Sequence, residues 1–262
     1  MERGRTLKEI ASNHNPRLAA LRELQRPRAR RERGLFLTES AKMVAEALSL
    51  SLCRTLVIES GRAQEYAAMM AQAEGAGCEV LLVSRAVMEA LSEAKTPQGI
   101  LCTVAIRPEP ERLAGRRIAA LDGVQDPGNV GTILRTADAA GFDGVLLGAG
   151  CADLYGAKTL RATMGSVFRV PTRRTDDLAG ELANMRAQGY AIAATELGGE
   201  DFYAGCPRGN CVLVIGSEGH GVSQAVRDVA THHLALPMRG GAESLNAAVA
   251  AGIMIYEMAR ER

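Results

Sequence analysis

The chain has 262 residues, 47% of them apolar and 23% charged, with a formal net charge of +1. That balance excludes wholesale disorder and predicts a sizeable core, while the length suits two domains of roughly 100–150 residues each. Trp is absent and Phe and Tyr are few, so stacking of bases on aromatic side chains is not the obvious binding mode. The six cysteines lack a Cys-x-x-Cys pair, and no signal-peptide pattern or long apolar span accompanies them. Reduced thiols, a cytoplasmic location and no membrane association are the expectation. No structural metal is expected, because neither Cys206 and Cys211 nor His232 and His233 supply zinc-ligand spacing.

In chain order, the first feature is a basic lead-in where Arg22, Arg26, Arg28, Arg30, Arg31 and Arg33 crowd one stretch. Such a run can meet phosphates or be a solvated helix face. A helical period follows in AKMVAEALSL (41–50), then a strand-like run LCRTLVIES (52–60), an Ala- and Met-rich helical stretch (63–76) and a second strand, EVLLVS (79–84). After ILCTVAI, the Pro108, Pro110 and Gly115 of RPEPERLAG interrupt any regular element. A domain boundary is expected there, separating residues 1–108 from 115–262.

From Arg116 the alternation is clearer. Strand RIAALD, a helix starting near Asn129, strand GVLLG, a helix around Lys158 and a helix from Asp176 come first. Strands YAIAAT, CVLVIG and HLALP and a terminal helix complete the series. This pattern predicts an α/β domain whose parallel sheet is covered by helices on both faces. If His232 and His233 lie on a strand they point to opposite faces, which favours a structural role for them.

Ligands in such sheets sit beyond the carboxyl ends of strands, and three loops there stand out. In DGVQDPGNVGTILRTADAAG (122–141) the glycines and a helix start admit close backbone approach, and Arg135 suits a phosphate-facing or a solubilising role. In LVIGSEGHGVS (213–223) Gly216, Gly219 and Gly221 surround Glu218. It matches neither the Walker pattern nor G-x-S-x-G. In LPMRGGAESLNAAVAAGIMIYE (236–257), Ser244 is the expected helix cap and Asn246 follows it.

In order and content these stretches resemble the three motifs of the SpoU (TrmH-like) RNA 2′-O-ribose methyltransferases of the SPOUT superfamily. Upstream, NPRLAALREL, RGLFLTESAKMVAEAL and KTPQGILCTV resemble the ribosomal-protein-like substrate-binding domain that precedes many such domains. The resemblance implies a smaller α/β RNA-binding domain followed by a parallel α/β domain with a C-terminal trefoil knot, an exception to the rule of unknotted chains. It implies S-adenosyl-L-methionine as cofactor, bound in the knot at Thr195, Glu196, Gly216, Gly221, Leu236, Leu245 and Asn246, the glycines sparing room for it. The positions matching the group's functional residues are Asn129, Arg135, Glu218, Ser244 and Asn246.

Arg135 would hold a phosphate and stabilise oxyanion charge, since a guanidinium is a poor base. Glu218 would either orient Arg135 or take the hydroxyl proton. RNA, ribosomal rather than transfer RNA, is the implied substrate, and a homodimer that completes the site is the implied assembly. Two other classes compete. A non-catalytic RNA-binding or ribosome-assembly protein could keep the fold, but the motifs are intact. A dinucleotide-dependent dehydrogenase would need G-x-G-x-x-G, which is missing.

Overall fold

A computed structural model describes residues 9–12 and 15–260. The chain divides into two compact units, one of residues up to Arg107 together with Tyr155–Ala157, the other of Pro108–Leu154 and Lys158 onward.

In the first unit, α1 (Pro16–Glu23) and α2 (Pro27–Arg33) are short, each beginning on a proline, a residue suited to the first helical turn. Then come β1 (Leu35–Glu39), α3 (Ala41–Ser49), β2 (Cys53–Glu59), α4 (Ala67–Gly75), β3 (Glu79–Val83), α5 (Arg85–Leu91) and β4 (Ile100–Ala105). The sheet runs β1-β4-β2-β3. Only β2 and β3 pair in parallel; β4 is antiparallel to both its neighbours. The core that joins α1 and α5 to this sheet is Leu18, Leu21, Val57, Leu81, Val87 and Leu101. β1 escaped the sequence reading, because LFLTE alternates buried and half-buried positions beside a polar run.

The second unit opens with β5 (Arg117–Asp122), α6 (Pro127–Ala139), β6 (Gly144–Leu147), α7 (Ala157–Thr163), β7 (Thr172–Arg174) and α8 (Leu178–Ala187). It continues with β8 (Ala191–Asp201), α9 (Phe202–Gly205), β9 (Cys211–Gly216), α10 (Gln224–Val229), β10 (His232–Ala235) and α11 (Ala247–Ala259). Its sheet runs β10-β8-β9-β5-β6-β7, and every neighbouring pair is parallel. The fully apolar strands explain this: β6 and β9 are buried at every position, as a sheet covered on both faces requires. Alternate residues Ile118, Ala120, Ile192, Ala194, Val212 and Val214 face a cluster with Leu178, Leu182, Met185 and Val226 of α8 and α10. On the other side α6 packs against α11.

The chain leaves β5 toward β6 and β7, then returns to place β9 on the opposite flank of β5. The strand order therefore reverses between β5 and β9, where Asp122 sits in register with Gly216. A crevice at such a reversal is where open α/β sheets bind ligands. The loops after β5 and β9 both emerge there.

Candidate active site

α6 begins two residues earlier than the sequence suggested. Asp126 is its cap, accepting from the Asn129 backbone N–H at 2.9 Å, with Pro127 in the first turn. Lys158 Nζ lies 2.8 Å from the other Asp126 oxygen. That ammonium, and next the Asn129 N–H, hold the Asp126 carboxyl below its ordinary pKa. Neither Asp126 nor Lys158 was singled out as a site residue, although Asp-Pro ahead of an apolar-periodic run is a helix-start signal.

With its backbone held this way, the buried Asn129 side chain meets two partners. Its Nδ2 donates to Glu218 Oε1, and its Oδ1 accepts from Asn246 Nδ2 at 3.1 Å. Asn246 is itself committed: its Oδ1 caps α11, accepting from Ala248 N at 2.9 Å and Val249 N at 3.2 Å. Its amide nitrogen is therefore the end left to donate to Asn129. The cap of α11 is thus Asn246, and Ser244, the residue expected there, lies exposed in the preceding loop. Both residues can cap; the path of the chain out of β10 brings Asn246 to the helix end.

Glu218 stands on a hairpin closed by reciprocal bonds between Ser217 and Gly221, at 3.0 and 2.9 Å. Gly221 turns with φ +67°, and Ser223 N ties the hairpin to β5 through Asp122 Oδ2 at 2.7 Å. A Cβ on Gly216 would lie 2.1 Å from the Gly221 carbonyl carbon and 2.2 Å from Val222 N. Gly216 is therefore required by the chain's own backbone, a reason separate from the cofactor contact expected of it. Glu218 bonds to Asn129 and not to Arg135, so it does not orient that arginine. No described residue donates to its second oxygen.

Arg135 is exposed on α6 and makes no hydrogen bond or ion pair with any described residue. Thr195 and Glu196 lie half-buried beyond the paired start of β8, and both Glu196 oxygens are engaged, by Arg227 at 3.3 Å and His233 at 2.8 Å. His233 does lie on a strand and serves this structural pairing. Leu236 is half-buried and Leu245 exposed. Between them, Pro237 to Ser244 makes no main-chain hydrogen bond to any described residue, leaving an exposed run of main-chain groups without protein partners just ahead of Asn246.

In the first unit the six arginines part company. Arg30 is 5% exposed and donates to the carbonyls of Leu24 and Gln25 at 2.8 and 2.9 Å. It satisfies the end of α1 and is withdrawn from any RNA surface, contrary to expectation. Arg28 pairs with Glu32 and Arg33 with Glu23. Arg26 and Arg31 are exposed, and Arg22 is partly so.

A cleft of about 590 Å³ elsewhere in the second unit is lined by Arg112, Leu113, Arg173, Glu181 and Met185. It contains none of the motif residues, and Arg173 is paired with Glu181.

Comparison with known proteins places the chain in a family. Residues 116–256 match the SpoU rRNA Methylase family, and residues 15–102 match the MRM3-like substrate binding domain. The chain is 34% identical over 254 residues to the 23S rRNA (guanosine(2553)-2′-O)-methyltransferase RlmP of Bacillus subtilis, covering 96% of this chain and 99% of that one. An AdoMet-bound rRNA methyltransferase from Sinorhizobium meliloti superposes with a TM-score of 0.83 at 35% identity, over 96% of this chain and 97% of that one. The SpoU methyltransferase AviRb from Streptomyces viridochromogenes, in complex with AdoMet, gives 0.82 at 26% identity, over 94% and 97%. With its second unit matched through all three loops and nearly its whole length matched by relatives, this chain belongs to the SpoU rRNA methylase family.

Proposed function

We propose that the chain transfers the methyl group of S-adenosylmethionine to a ribose 2′-hydroxyl of ribosomal RNA. The observation that carries this reading is the convergence of Asn129, Glu218 and Asn246, from three segments far apart in the chain, at the point where the strand order reverses. The cofactor fits the chemistry present. Unpaired main-chain donors and acceptors from Pro237 to Ser244, flanked by Leu236 and Leu245, suit a ligand with a polar base edge and an apolar ring face. Thr195, Gly221 and the Asn246 turn complete that lining. Glu196, fully engaged by protein partners, shapes it from behind. The C-terminal segment would reach this lining by passing through a chain loop, forming a trefoil knot.

When bound, S-adenosylmethionine supplies an electrophilic methyl group on sulfonium sulfur. The ribose hydroxyl that would receive this methyl group must lose its proton. Glu218 is placed to receive it, directly or through water, because Asn129 holds one carboxylate oxygen and leaves the other open. Arg135 offers a permanent cation to a phosphate or to the developing oxyanion. Holding these groups in place is itself catalytic, since the displacement demands an in-line approach.

Arg135 has no partner among the described residues, and α11 beside α6 exposes an apolar stripe of Val249, Ile253 and Tyr256 at 51%, 38% and 53%. This supports a homodimer closed over α6 and α11, in which the partner copy completes the site. Ile253→Asp with Tyr256→Asp should yield a folded monomer by sedimentation with methyl transfer reduced to background; a fully active monomer would reject the shared site. The first unit would grip the RNA through Arg22, Arg26, Arg28, Arg31 and Arg33. Among the described residues no helix is long and apolar enough to cross a membrane.

The test is transfer of labelled methyl from S-adenosylmethionine to unmodified total RNA, followed by digestion and nucleoside mass spectrometry. A 2′-O-methylnucleoside in ribosomal RNA is the expected result. Cofactor binding without methylated product in ribosomal or transfer RNA would instead favour a non-catalytic RNA-binding protein.

A further inference from the structure

β8 and β10 pair in two separate registers. His233 sits opposite Ala194, but the next residue, Leu234, sits opposite Glu200. Residues 195–199 therefore leave that ladder and bulge outward, with Leu197 at 79% exposure near the tip. A segment released from ladder hydrogen bonds must be held by its side chains or by packing. Here the holding group is Glu196. Its Oε1 lies 3.3 Å from Arg227 Nη1, and its Oε2 lies 2.8 Å from His233 Nδ1.

The same guanidinium also reaches the Glu218 hairpin. Arg227 Nε donates to the Val222 carbonyl at 2.8 Å, at the residue that directly follows the Ser217–Gly221 closure and is 1% exposed. One side chain from α10 thus joins the exit of β8 to the exit of β9, and through Glu196 to β10. The network is only partly exposed, at 32%, 30% and 44% for Arg227, Glu196 and His233. Arginine suits this task because its planar fork donates in two directions at once, which a lysine cannot reproduce.

We infer that Arg227 is a positioning residue that sets cofactor affinity by fixing the Gly216–Val222 hairpin against the 195–199 bulge through Glu196. It touches neither reacting group and acts through the two segments it joins. The inference rests on the cofactor placement proposed above.

Two measurements on the full-length protein keep the two ideas separable. Hydrogen exchange of the wild type with and without S-adenosylmethionine tests the placement: slowed exchange across 214–222 and 236–246 is expected, and unchanged exchange there would overturn both. Calorimetric titration of S-adenosylmethionine into variants tests Arg227. Arg227→Ala and Glu196→Ala should each raise Kd about tenfold, and the double variant no further than the weaker-binding single, because both break one network. Glu196→Gln, which keeps an acceptor for Arg227, should recover part of the loss, while KM for RNA stays within about twofold of wild type. Should Arg227→Ala misfold, Arg227→Gln, which preserves packing length, serves in its place. A Kd within twofold of wild type in the single variants, or losses that simply add in the double, would overturn the role of Arg227.

Discussion

Asn129 and Arg135 lie on the same helix and differ in nearly every physical respect. Asn129 is buried, and both polar ends of its side chain are taken by Glu218 and Asn246. Arg135 is exposed and has no partner among the described residues. A polar group satisfied inside its own chain sets geometry, because breaking its bonds leaves buried donors and acceptors unmade. A cation without a partner costs little to hold in solvent and is free to meet an anion from outside. The start of α6 is thus a frame, and its middle offers a charge.

The largest effect should come from removing that charge. Arg135→Ala is expected to lower the rate of methyl transfer by about 100-fold or more, the scale seen when a group stabilising transition-state charge is deleted. Kd for S-adenosylmethionine should stay within about twofold, measured by calorimetry. Full activity in this variant would remove Arg135 from the mechanism and collapse the contrast with Asn129.

Asn246 probes the frame. Asn246→Ala loses both the cap of α11 and the bond to Asn129, and should cost about 1–2 kcal/mol in denaturant unfolding along with activity. Asn246→Asp keeps an acceptor for the helix N–H groups but cannot donate to Asn129 Oδ1. It should keep the cap, lose about 1 kcal/mol for the missing bond to Asn129, and lose roughly tenfold in methyl transfer, the scale of one mispaired hydrogen bond. Equal activity in the Asp variant would show that capping alone is what Asn246 contributes.

The smallest effect concerns Asp126, which holds the turn that carries Asn129. Asp126→Ala should cost about 1 kcal/mol, the usual value of such a cap. Because Lys158 depresses the folded-state pKa of this carboxyl, its charge stabilises the fold above the unfolded carboxyl pKa of about 3.9 and ceases to do so as pH falls through the lower folded value. Asp126→Asn keeps the cap and drops the charge. Its deficit against wild type should accordingly be present at neutral pH and vanish in acid; a deficit constant with pH would mean that the Lys158 pair is not what matters.

Legibility in the sequence followed physical kind. RIAALD, GVLLG and CVLVIG were readable as central parallel strands because a sheet buried on both faces needs unbroken apolar runs. β7, only Thr172–Arg174, was not: an edge strand with half-exposed polar residues carries no such mark. α10 spans Gln224–Val229, too short for helical periodicity to register. Within the site, Asn129, Glu218 and Asn246 were legible only as members of three motifs taken together, since 89 and 117 residues separate the partners. The basic run near the N-terminus was visible as composition, yet nothing in the spacing marked Arg30 as the one turned inward.

By itself the sequence determined the class of the second domain and the order of the three loops, because strand burial and turn chemistry are written in local residue type. Which polar groups pair was decided only in three dimensions. Ser244 and Asn246 are both competent caps, Glu218 could have faced Arg135 or Asn129, and Gly216 could have spared room for a ligand or for a neighbouring turn. In each case several partners were chemically acceptable. The path of the chain brought one of them within hydrogen-bonding or contact distance, out of β10 for Asn246, across the reversal between β5 and β9 for Glu218 and around the adjoining hairpin for Gly216, and a bond that falls off within a few tenths of an ångström leaves no second choice.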